Sequence, residues 1–329
     1  MFNEAFESIL QDKCTPQVVR QIEGDGAYTE LWNAVADAGF LDLMASEDDG
    51  GADLDLAGIF PILVMLGAYA TPLPIGQAIV LRTLLPRDAI PGGIVTLAPS
   101  LDRNKMGAMV APRVPFGGIA DYVVAETEDA YLVLDAARAQ RSLIGIHHDG
   151  TADLCWEASV TGEAASIVKD NFIRGNVQAW GAALHAAQIV GAMTRCFELT
   201  LQYGNDRSQF GKPIGKFQSI QHQLAEMAEH VAAARMATIR AFSEGARTPS
   251  TFPAAVAKGR ASEAVKTVAA ISHSVHGAIG ITEEYDLQLY TRRLHAWRLA
   301  HGSESYWYEI IGRASLEFEN IAITDILKR

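Results

Sequence analysis

Cysteine is scarce in this chain of 329 residues, which has only three: Cys14, Cys155 and Cys196. They lie far apart, are odd in number and include no Cys-x-x-Cys pair, so the sequence disfavours both a disulfide framework and a zinc cluster. Such cysteine usage is typical of a reducing compartment. We therefore expect a cytoplasmic protein without a metal site.

Positive charge is also in short supply, because 27 Lys and Arg residues face 39 Asp and Glu residues and leave a net charge of −12. Binding to a phosphate backbone or to an anionic membrane needs a basic surface, so we expect neither a nucleic acid nor a membrane as partner. A nucleotide cofactor is still compatible with this charge, since a few local Arg side chains and backbone N–H groups are enough to hold one.

Long apolar runs are missing as well. The most apolar segment, residues 56–70, is too short to cross a bilayer and contains Gly58, Pro61 and Gly67, so it predicts a buried helix. The first residues have no basic stretch followed by an apolar core, and we expect no signal peptide. The length suits two or three packed subdomains.

Three zones with different periodicity are present. Residues 1–88 carry apolar positions near helical spacing and end in a proline-rich stretch. Residues 89–170 carry short β-rich runs, separated by Gly, Pro and Asp, which predict a small antiparallel sheet. Residues 171–329 return to helical periodicity. We therefore predict a mainly α fold with a small β domain (α+β), in which an N-terminal helical domain, a reduced antiparallel middle domain and a C-terminal four-helix bundle occupy these zones in turn.

Four apolar stripes in the last zone define the predicted bundle, because amphipathic helices joined by short links bury their stripes against one another. The stripes begin at Trp180, Ile220, Val265 and Leu287. Glycines indicate where helices end, and a Thr with a following Pro indicates where one begins. These positions are Gly204, Gly245 and Gly302 for the ends, and Thr251 with Pro253 for the beginning.

The segment between the first two bundle helices, RSQFGKPIGKFQSIQH at residues 207–222, carries the densest chemistry. Arg207 can hold a pyrophosphate through paired hydrogen bonds, and Phe210 can stack on an adenine. The same residue types also suit an ordinary solvated basic loop. The segment further supplies two cations, two glycines that permit close backbone approach, and two amides: Lys212, Lys216, Gly211, Gly215, Gln209 and Gln218.

Extended to RSQFGKPIGKFQSIQHQLAEMA, the segment resembles the R-x-Q-F-G-x-x-I…F-Q-x-x-Q…L-A-[DE]-M-A signature of acyl-CoA dehydrogenases, and the resemblance continues over the C-terminal half. It implies FAD as cofactor. In that family the Arg, Gln and Phe hold the pyrophosphate and adenine of a flavin seated mostly in a neighbouring subunit. The resemblance carries these roles to Arg207, Gln209 and Phe210, with Gln218 as a further contact.

A second motif, SVHGAIGIT at residues 274–282, resembles the family's Q-V-H-G-G-I-G-F-T, whose backbone approaches the flavin's adenosine part. Gly277 and Gly280 match the family pattern. Ser274 replaces a longer Gln and Ala278 adds a methyl group, so the resemblance implies weaker contacts at these two positions. A plain helix end, for which Gly277 alone suffices, is the alternative. We expect the two histidines here, His273 and His276, to be packing or capping residues.

The family's catalytic base is absent from its two usual places. One is the Glu of Y-E-G-T after the last bundle helix, where this chain has Ala300 to Ser303 with His301 at the Glu position. The resemblance makes Ser303 a cofactor contact. The other place falls at or near Gly181. His301 either acts as a base near neutral pH or is a linker histidine, so the catalytic residue stays unassigned.

The middle zone is shorter than in full-length family members. It lacks the T-E-P-x-x-G-S-D-like loop and the W-I-T-N-like strand that hold the flavin ring, although LMASEDDGGADLDL before it resembles the family's P-E-x-Y-G-G-x-G-L-D-L. The pattern resembles the shortened subunit of heteromeric bacterial acyl-CoA dehydrogenases of steroid degradation, which pair two different subunits as α2β2 tetramers with fewer flavins than subunits.

That resemblance implies FAD-dependent α,β-dehydrogenation of an acyl-CoA thioester by a heteromer. The partner, a second acyl-CoA dehydrogenase subunit, would supply the catalytic carboxylate, and an electron-transferring flavoprotein would take the electrons. One alternative is a self-sufficient homo-oligomer with His301 as base. Others are a structural or regulatory subunit without flavin, and a DNA-associated relative, which would need a basic surface.

Overall fold

The N-terminal zone is helical, as predicted. The computed structural model describes residues 2–145, 149–159, 165–169, 172 and 175–317. The first five α-helices are α1 (Phe2–Lys13), α2 (Pro16–Asp25), α3 (Thr29–Asp37), α4 (Leu56–Ala68) and α5 (Ile75–Leu84). The predicted buried helix is confirmed as α4, which begins where the Asp55 carboxylate accepts the Gly58 N–H at 2.8 Å. The helix is apolar on all sides and lies between other elements.

The small β domain is confirmed, and it comprises two sheets. Its strands are β1 (Val95–Leu97), β2 (Asp102–Arg103), β3 (Met109–Val114), β4 (Tyr122–Glu126), β5 (Tyr131–Asp135), β6 (Gln140–Leu143), β7 (Ala152–Trp156) and β8 (Ala165–Val168). One sheet has the order β1-β4-β5-β8 and the other β2-β3-β7-β6. All pairs are antiparallel except β1 and β4, because the chain crosses to the second sheet between them and returns in the same direction.

Alternation along the first sheet explains why two layers form. On β4, Val123 joins the core between the two sheets, while its neighbour Val124 joins the main core of the molecule. On β5, Leu134 and Val133 divide in the same way. Successive side chains of a strand point to opposite faces, so this sheet is apolar on both sides and is covered on both.

The predicted bundle is confirmed and gains a fifth helix. Its helices are α6 (Asn176–Asp206), α7 (Gln218–Ala241), α8 (Thr251–His276), α9 (Leu287–Leu299) and α10 (Glu304–Glu317). The four predicted stripes face the core. The added helix, α10, packs on α8 where Gly259 leaves room for the Tyr308 ring, since a Cβ there would lie 2.7 Å from Tyr308 Cε1.

The three predicted glycine stops lie two to four residues from the observed helix ends. Gly245 and Gly302, with left-handed φ values of 74° and 97°, follow the ends of α7 at Ala241 and α9 at Leu299 by four and three residues. Gly204 lies inside α6, two residues before that helix ends at Asp206. This glycine instead allows a close approach to the following turn, where a Cβ on Gly215 would lie 3.0 Å from the Gly204 carbonyl oxygen.

A single core joins the helices of the N-terminal zone, the inner face of the first sheet and the bundle. Ion pairs reinforce this junction: Glu23 of α2 lies 2.9 Å from both Arg292 and Arg293 of α9. Among the described helices, none is long and apolar enough to span a bilayer. The predicted boundary at residues 88/89 stays a prediction, and the boundary at 170/171 lies outside the described residues.

Candidate functional site: an open groove and a closed base position

A tight hairpin carries the residues predicted to hold a nucleotide. It consists of β9 (Ser208–Gln209) and β10 (Lys212–Pro213), joined by Phe210 and Gly211 with left-handed φ values of 52° and 78°. Two consecutive left-handed residues match the twist of an antiparallel hairpin, which is why a glycine stands there. The turn projects Phe210 into solvent with 93% of its surface exposed.

The two predicted nucleotide motifs meet in one groove. The end of α6, the hairpin, the start of α7 and the end of α8 enclose a cavity of about 510 Å³. Although the motifs are far apart in sequence, the groove collects five of the nine predicted cofactor contacts. These are Arg207, Gln209, Phe210, Ser274 and Gly277.

Three aromatic groove residues were not assigned to cofactor binding from the sequence. Phe217 stands edge-on to Phe210 with ring centroids 6.2 Å apart, and Lys212 Nζ lies 4.3 Å above its ring. Tyr203 and His276 line the same groove. The signal for Phe217 was the F-Q-x-x-Q part of the signature. Tyr203 carries no such signal, and His276 was expected only to pack or cap.

The remaining four predicted contacts lie outside the groove lining. Gln218 begins α7 on its exposed side, and Ala278 is exposed on the 3-10 turn Gly277–Ile281 beside the groove. Gly280 is buried in the same turn. Ser303 precedes α10 at the other end of α8. Its neighbour Gly302 accepts a hydrogen bond from Lys258 of α8. Lys258 lies about 24 Å before Ser274 along the axis of that helix.

The groove fits the nucleotide end of a flavin. Arg207 offers paired donors to a pyrophosphate, Gln209 offers an amide, and Phe210 offers a ring to a base. Gly277 has a φ of 64°, and a Cβ there would meet no atom within 4 Å, so its backbone is open to a ligand. Basic and aromatic groups face one cavity, and this is the donor set that an anionic, aromatic ligand requires.

The two predicted base positions touch each other inside the protein. A Cβ on Gly181 would collide with the imidazole of His301, whose side chain therefore occupies the space that the glycine leaves. His301 is 1% exposed, and the ring of His185 lies 5.2 Å away. Burial lowers the pKa of His301 well below 6.5 and that of His185 to about 3, so both rings are neutral at neutral pH.

The link that carries His301 is fixed by buried hydrogen bonds. Lys258 Nζ donates to Ser262 Oγ and to the Arg298 and Gly302 carbonyl oxygens, each at 2.9 Å. Burial lowers the pKa of Lys258 to about 7, while Glu304 opposes that shift. Trp307 Nε1 donates to the His301 carbonyl oxygen at 2.9 Å. These contacts hold the His301 ring towards Gly181.

A carboxylate occupies the beginning of the bundle's first helix. Glu126, at the end of β4, accepts hydrogen bonds from the Val177 N–H at 3.1 Å and from the Gly175 N–H. It therefore takes the donors that a helix N-terminus otherwise offers to an anion. The sequence analysis did not single out Glu126. Its only signal was a Glu at the end of a β-rich run, which does not reveal a contact with a helix far along the chain.

Known proteins resemble this chain in sequence and in structure. The family model for the C-terminal domain of acyl-CoA dehydrogenases matches residues 176–316. Acyl-CoA dehydrogenase IpdE2 of Mycolicibacterium smegmatis is 32% identical to 90% of this chain, over 91% of its own length.

Two solved structures of similar proteins are complexes of two subunits. The ChsE4–ChsE5 complex from Mycobacterium tuberculosis matches with a TM-score of 0.83 at 22% identity, over 96% of each chain. The Tcur3481–Tcur3483 steroid acyl-CoA dehydrogenase matches with a TM-score of 0.80 at 22% identity, also over 96% of each chain. Both share the fold described above.

Proposed function

Because this chain belongs to the acyl-CoA dehydrogenase family, whose members are FAD-dependent oxidoreductases that act on acyl-CoA, we propose that it is one subunit of a heteromeric enzyme. In this enzyme its groove holds the nucleotide end of an FAD, whose ring is seated in a second acyl-CoA dehydrogenase subunit. That partner also supplies the catalytic carboxylate. The reaction is α,β-dehydrogenation of an acyl-CoA thioester.

One contrast carries the proposal. The nucleotide groove opens outward with Phe210 exposed at its rim, while the family's base positions are closed by His301 packing on Gly181. Glu126 adds a negative charge where the bundle's first helix begins, which disfavours a phosphate there. A chain built this way can contribute nucleotide contacts to a flavin site in a neighbour, while its own base positions are closed to a substrate.

The chain's own residues then bind and orient the cofactor. The guanidinium of Arg207 neutralises the pyrophosphate, and Phe210 stacks on the base and shields it from water. Bound FAD supplies the chemistry of hydride acceptance from the β-carbon. The α-proton passes to the partner's carboxylate, because no carboxylate of this chain stands at either base position.

The substrate class and the remaining partners are part of the proposal. We take the acyl group to be steroid-derived, because a steroid acyl-CoA dehydrogenase is among the structures that this fold matches. We expect an electron-transferring flavoprotein to accept the electrons. The compartment proposed is the cytoplasm, in keeping with three free thiols, of which Cys14 and Cys196 are buried.

The homo-oligomeric alternative is the weaker candidate. It needs the His301 ring to reach a substrate α-carbon, whereas the ring lies in the core with 1% of its surface exposed. Burial also lowers its pKa well below 6.5, and a base of such low pKa takes a proton from a thioester poorly at neutral pH.

The flavin-to-subunit ratio tests the proposal. We expect the chain expressed alone to be colourless, and the chain co-expressed with its partner to hold one FAD for each pair of different subunits. Removing the Arg207 charges in Arg207→Ala should lower the FAD affinity of the complex by about tenfold or more, because a hydrogen-bonded charge contributes about 1.5–3 kcal/mol. Absorbance at the flavin band and equilibrium dialysis measure both quantities.

The matched control is Arg103→Ala, which removes an exposed arginine from β2 in the other domain and should leave FAD affinity unchanged. Stoichiometric flavin with full dehydrogenase activity in the lone chain would rule the heteromer out. Unchanged FAD affinity in Arg207→Ala would rule out the groove.

A further inference from the structure

Three chain segments meet at the ring of His276, the last residue of α8. Its Nδ1 lies 2.7 Å from the Ser272 carbonyl oxygen in its own helix. Its face stacks on Tyr203 of α6, with ring centroids 4.5 Å apart and an interplanar angle of 26°. Its Nε2 lies 3.2 Å from the hydroxyl of Tyr285 in the link before α9. The residue is 3% exposed, so these contacts form its main surroundings.

The contacts determine how the ring is protonated. A carbonyl oxygen can only accept, so Nδ1 carries the hydrogen and donates to Ser272. In the neutral ring Nε2 is then the acceptor, and the Tyr285 hydroxyl donates to it. Burial lowers the pKa of His276, which keeps this neutral form at neutral pH. Both polar edges and one face of the ring are thus engaged, and the ring has one orientation.

The two helix ends that His276 joins are the two walls of the nucleotide groove. Tyr203 lies in the last turn of α6, and its carbonyl oxygen accepts the Arg207 N–H at 2.9 Å. On the other side, Gly277 follows His276 directly and turns the chain with a φ of 64°. The adjoining 3-10 turn packs against His276 because Gly280 has no side chain, since a Cβ there would lie 2.9 Å from His276 Cβ.

We propose that His276 is a positioning residue for FAD, which sets the separation between the Arg207 hairpin and the Ser274–Gly277 wall through Tyr203 and Tyr285. The inference rests on the proposed function of the groove. His276 does not contribute a charge to the cofactor; it acts through Arg207. Its effect on FAD affinity should therefore depend on the presence of the Arg207 side chain.

The experiment measures FAD dissociation constants of the purified heteromeric complex. His276→Phe keeps a ring for stacking and removes both hydrogen bonds, and we expect FAD to bind about fivefold more weakly, since each lost hydrogen bond should weaken binding about two- to threefold. Tyr203→Ala should weaken binding to a similar extent, and Tyr203→Phe, which restores the ring, should bring affinity back to within about twofold of the wild type.

The Arg207→Ala background separates positioning from general packing. There, His276→Phe should weaken FAD binding by less than about twofold further, because the group that it positions is gone. A fivefold effect that persists in this background would overturn the inference, and so would wild-type affinity in His276→Phe. If Arg207→Ala itself leaves FAD affinity unchanged, the proposal that the groove binds FAD is overturned. That result is distinguishable from one that overturns only the role of His276.

Two further variants keep the test decisive. Tyr285→Phe removes only the hydroxyl that donates to His276 and covers the case in which His276→Phe does not assemble. About two- to threefold weaker FAD binding is expected, and an unchanged dissociation constant would count against the inference. The control is His230→Phe. His230 Nδ1 is hydrogen-bonded to Arg260 of α8, which lies about 24 Å from His276 along that helix. A loss of FAD affinity equal to that of His276→Phe would show a non-specific effect and overturn the inference.

Discussion

The contact between Gly181 and His301 joins two positions that are far apart in the chain. A glycine in a helix interior usually costs about 1 kcal/mol relative to alanine, and here it is required because the His301 imidazole fills its side-chain space. The conformation of His301 adds to the constraint, since its φ of 50° is left-handed and rarely adopted outside glycine. The packing of these two residues is therefore specific. It can be tested by the sign of the change in unfolding free energy when Gly181 is replaced.

Gly181→Ala should destabilise the wild-type protein and stabilise one that lacks the His301 ring. With the ring present, the new methyl group collides with it, and overpacking of this kind costs about 1–3 kcal/mol. In His301→Ala the collision disappears, and the higher helix propensity of alanine should contribute about 1 kcal/mol to the free energy of unfolding. Urea unfolding of all four proteins measures the change. The same sign in both backgrounds would contradict the packing described here.

Sequence reasoning identified both residues as places for a base, yet it placed them in separate motifs. Their contact depends on how the link after α9 is held against α6, and Lys258 of a third helix fixes that link. Whether Gly181 and His301 touch therefore depends on three elements that are far apart in the sequence. Matching a motif to a family relates one segment of this chain to one segment of its relatives. It gives no information on which segments of the same chain touch each other.

At the scale of elements, local patterns were sufficient where a helix presents a regular apolar stripe. The four bundle helices follow from such stripes. The fifth, α10, also carries an apolar stripe, in which Trp307 is fully buried and Ile310 and Ile311 are partly buried against the core, but the sequence reasoning did not single it out. The division of the β domain into two sheets was also missed. The β-rich runs predict where strands form. They do not predict that β1 pairs in parallel with β4, because that pairing depends on contacts between residues distant in sequence.

We expect the tip of the β9–β10 hairpin to serve binding and not folding. Phe210→Ala should leave the melting temperature of the lone chain unchanged to within about 1 °C, because the side chain is 93% exposed and contributes little to the core. In the heteromeric complex the same change should weaken FAD binding by about five- to a hundredfold, as for the loss of one stacking contact of about 1–3 kcal/mol.

Phe217→Ala is the contrasting variant, since this ring packs against the core beside the groove and should lower the melting temperature. Calorimetry of the lone chain and FAD titration of the complex separate the two effects. A clear drop in stability of Phe210→Ala without loss of FAD affinity would show that the hairpin tip is structural.

At the scale of the whole molecule, the N-terminal helices and the bundle share one continuous core, so we expect them to unfold as one cooperative unit. The junction contains a charge that is largely shielded from water: Arg293 is 5% exposed and pairs with Glu23, which Arg292 also contacts. A buried ion pair adds little net stability while intact, but the loss of one partner leaves a buried charge without compensation. Arg292 and Arg293 thus couple α2 to α9.

Glu23→Gln should therefore destabilise the entire chain by about 3–5 kcal/mol, the usual cost of breaking one partner of a buried pair. Glutamine keeps the shape of the side chain, so the change isolates the charge. Because the core is continuous, we expect circular dichroism and tryptophan fluorescence to report one coincident urea transition, moved to lower urea. Glu30→Gln is the control: it breaks the pair of Glu30 with Lys13, 2.8 Å apart and solvent-exposed, and should leave the urea midpoint nearly unchanged. Separate transitions of the N-terminal helices and the bundle would mean that the two zones unfold independently, and that Glu23 joins two domains rather than one core.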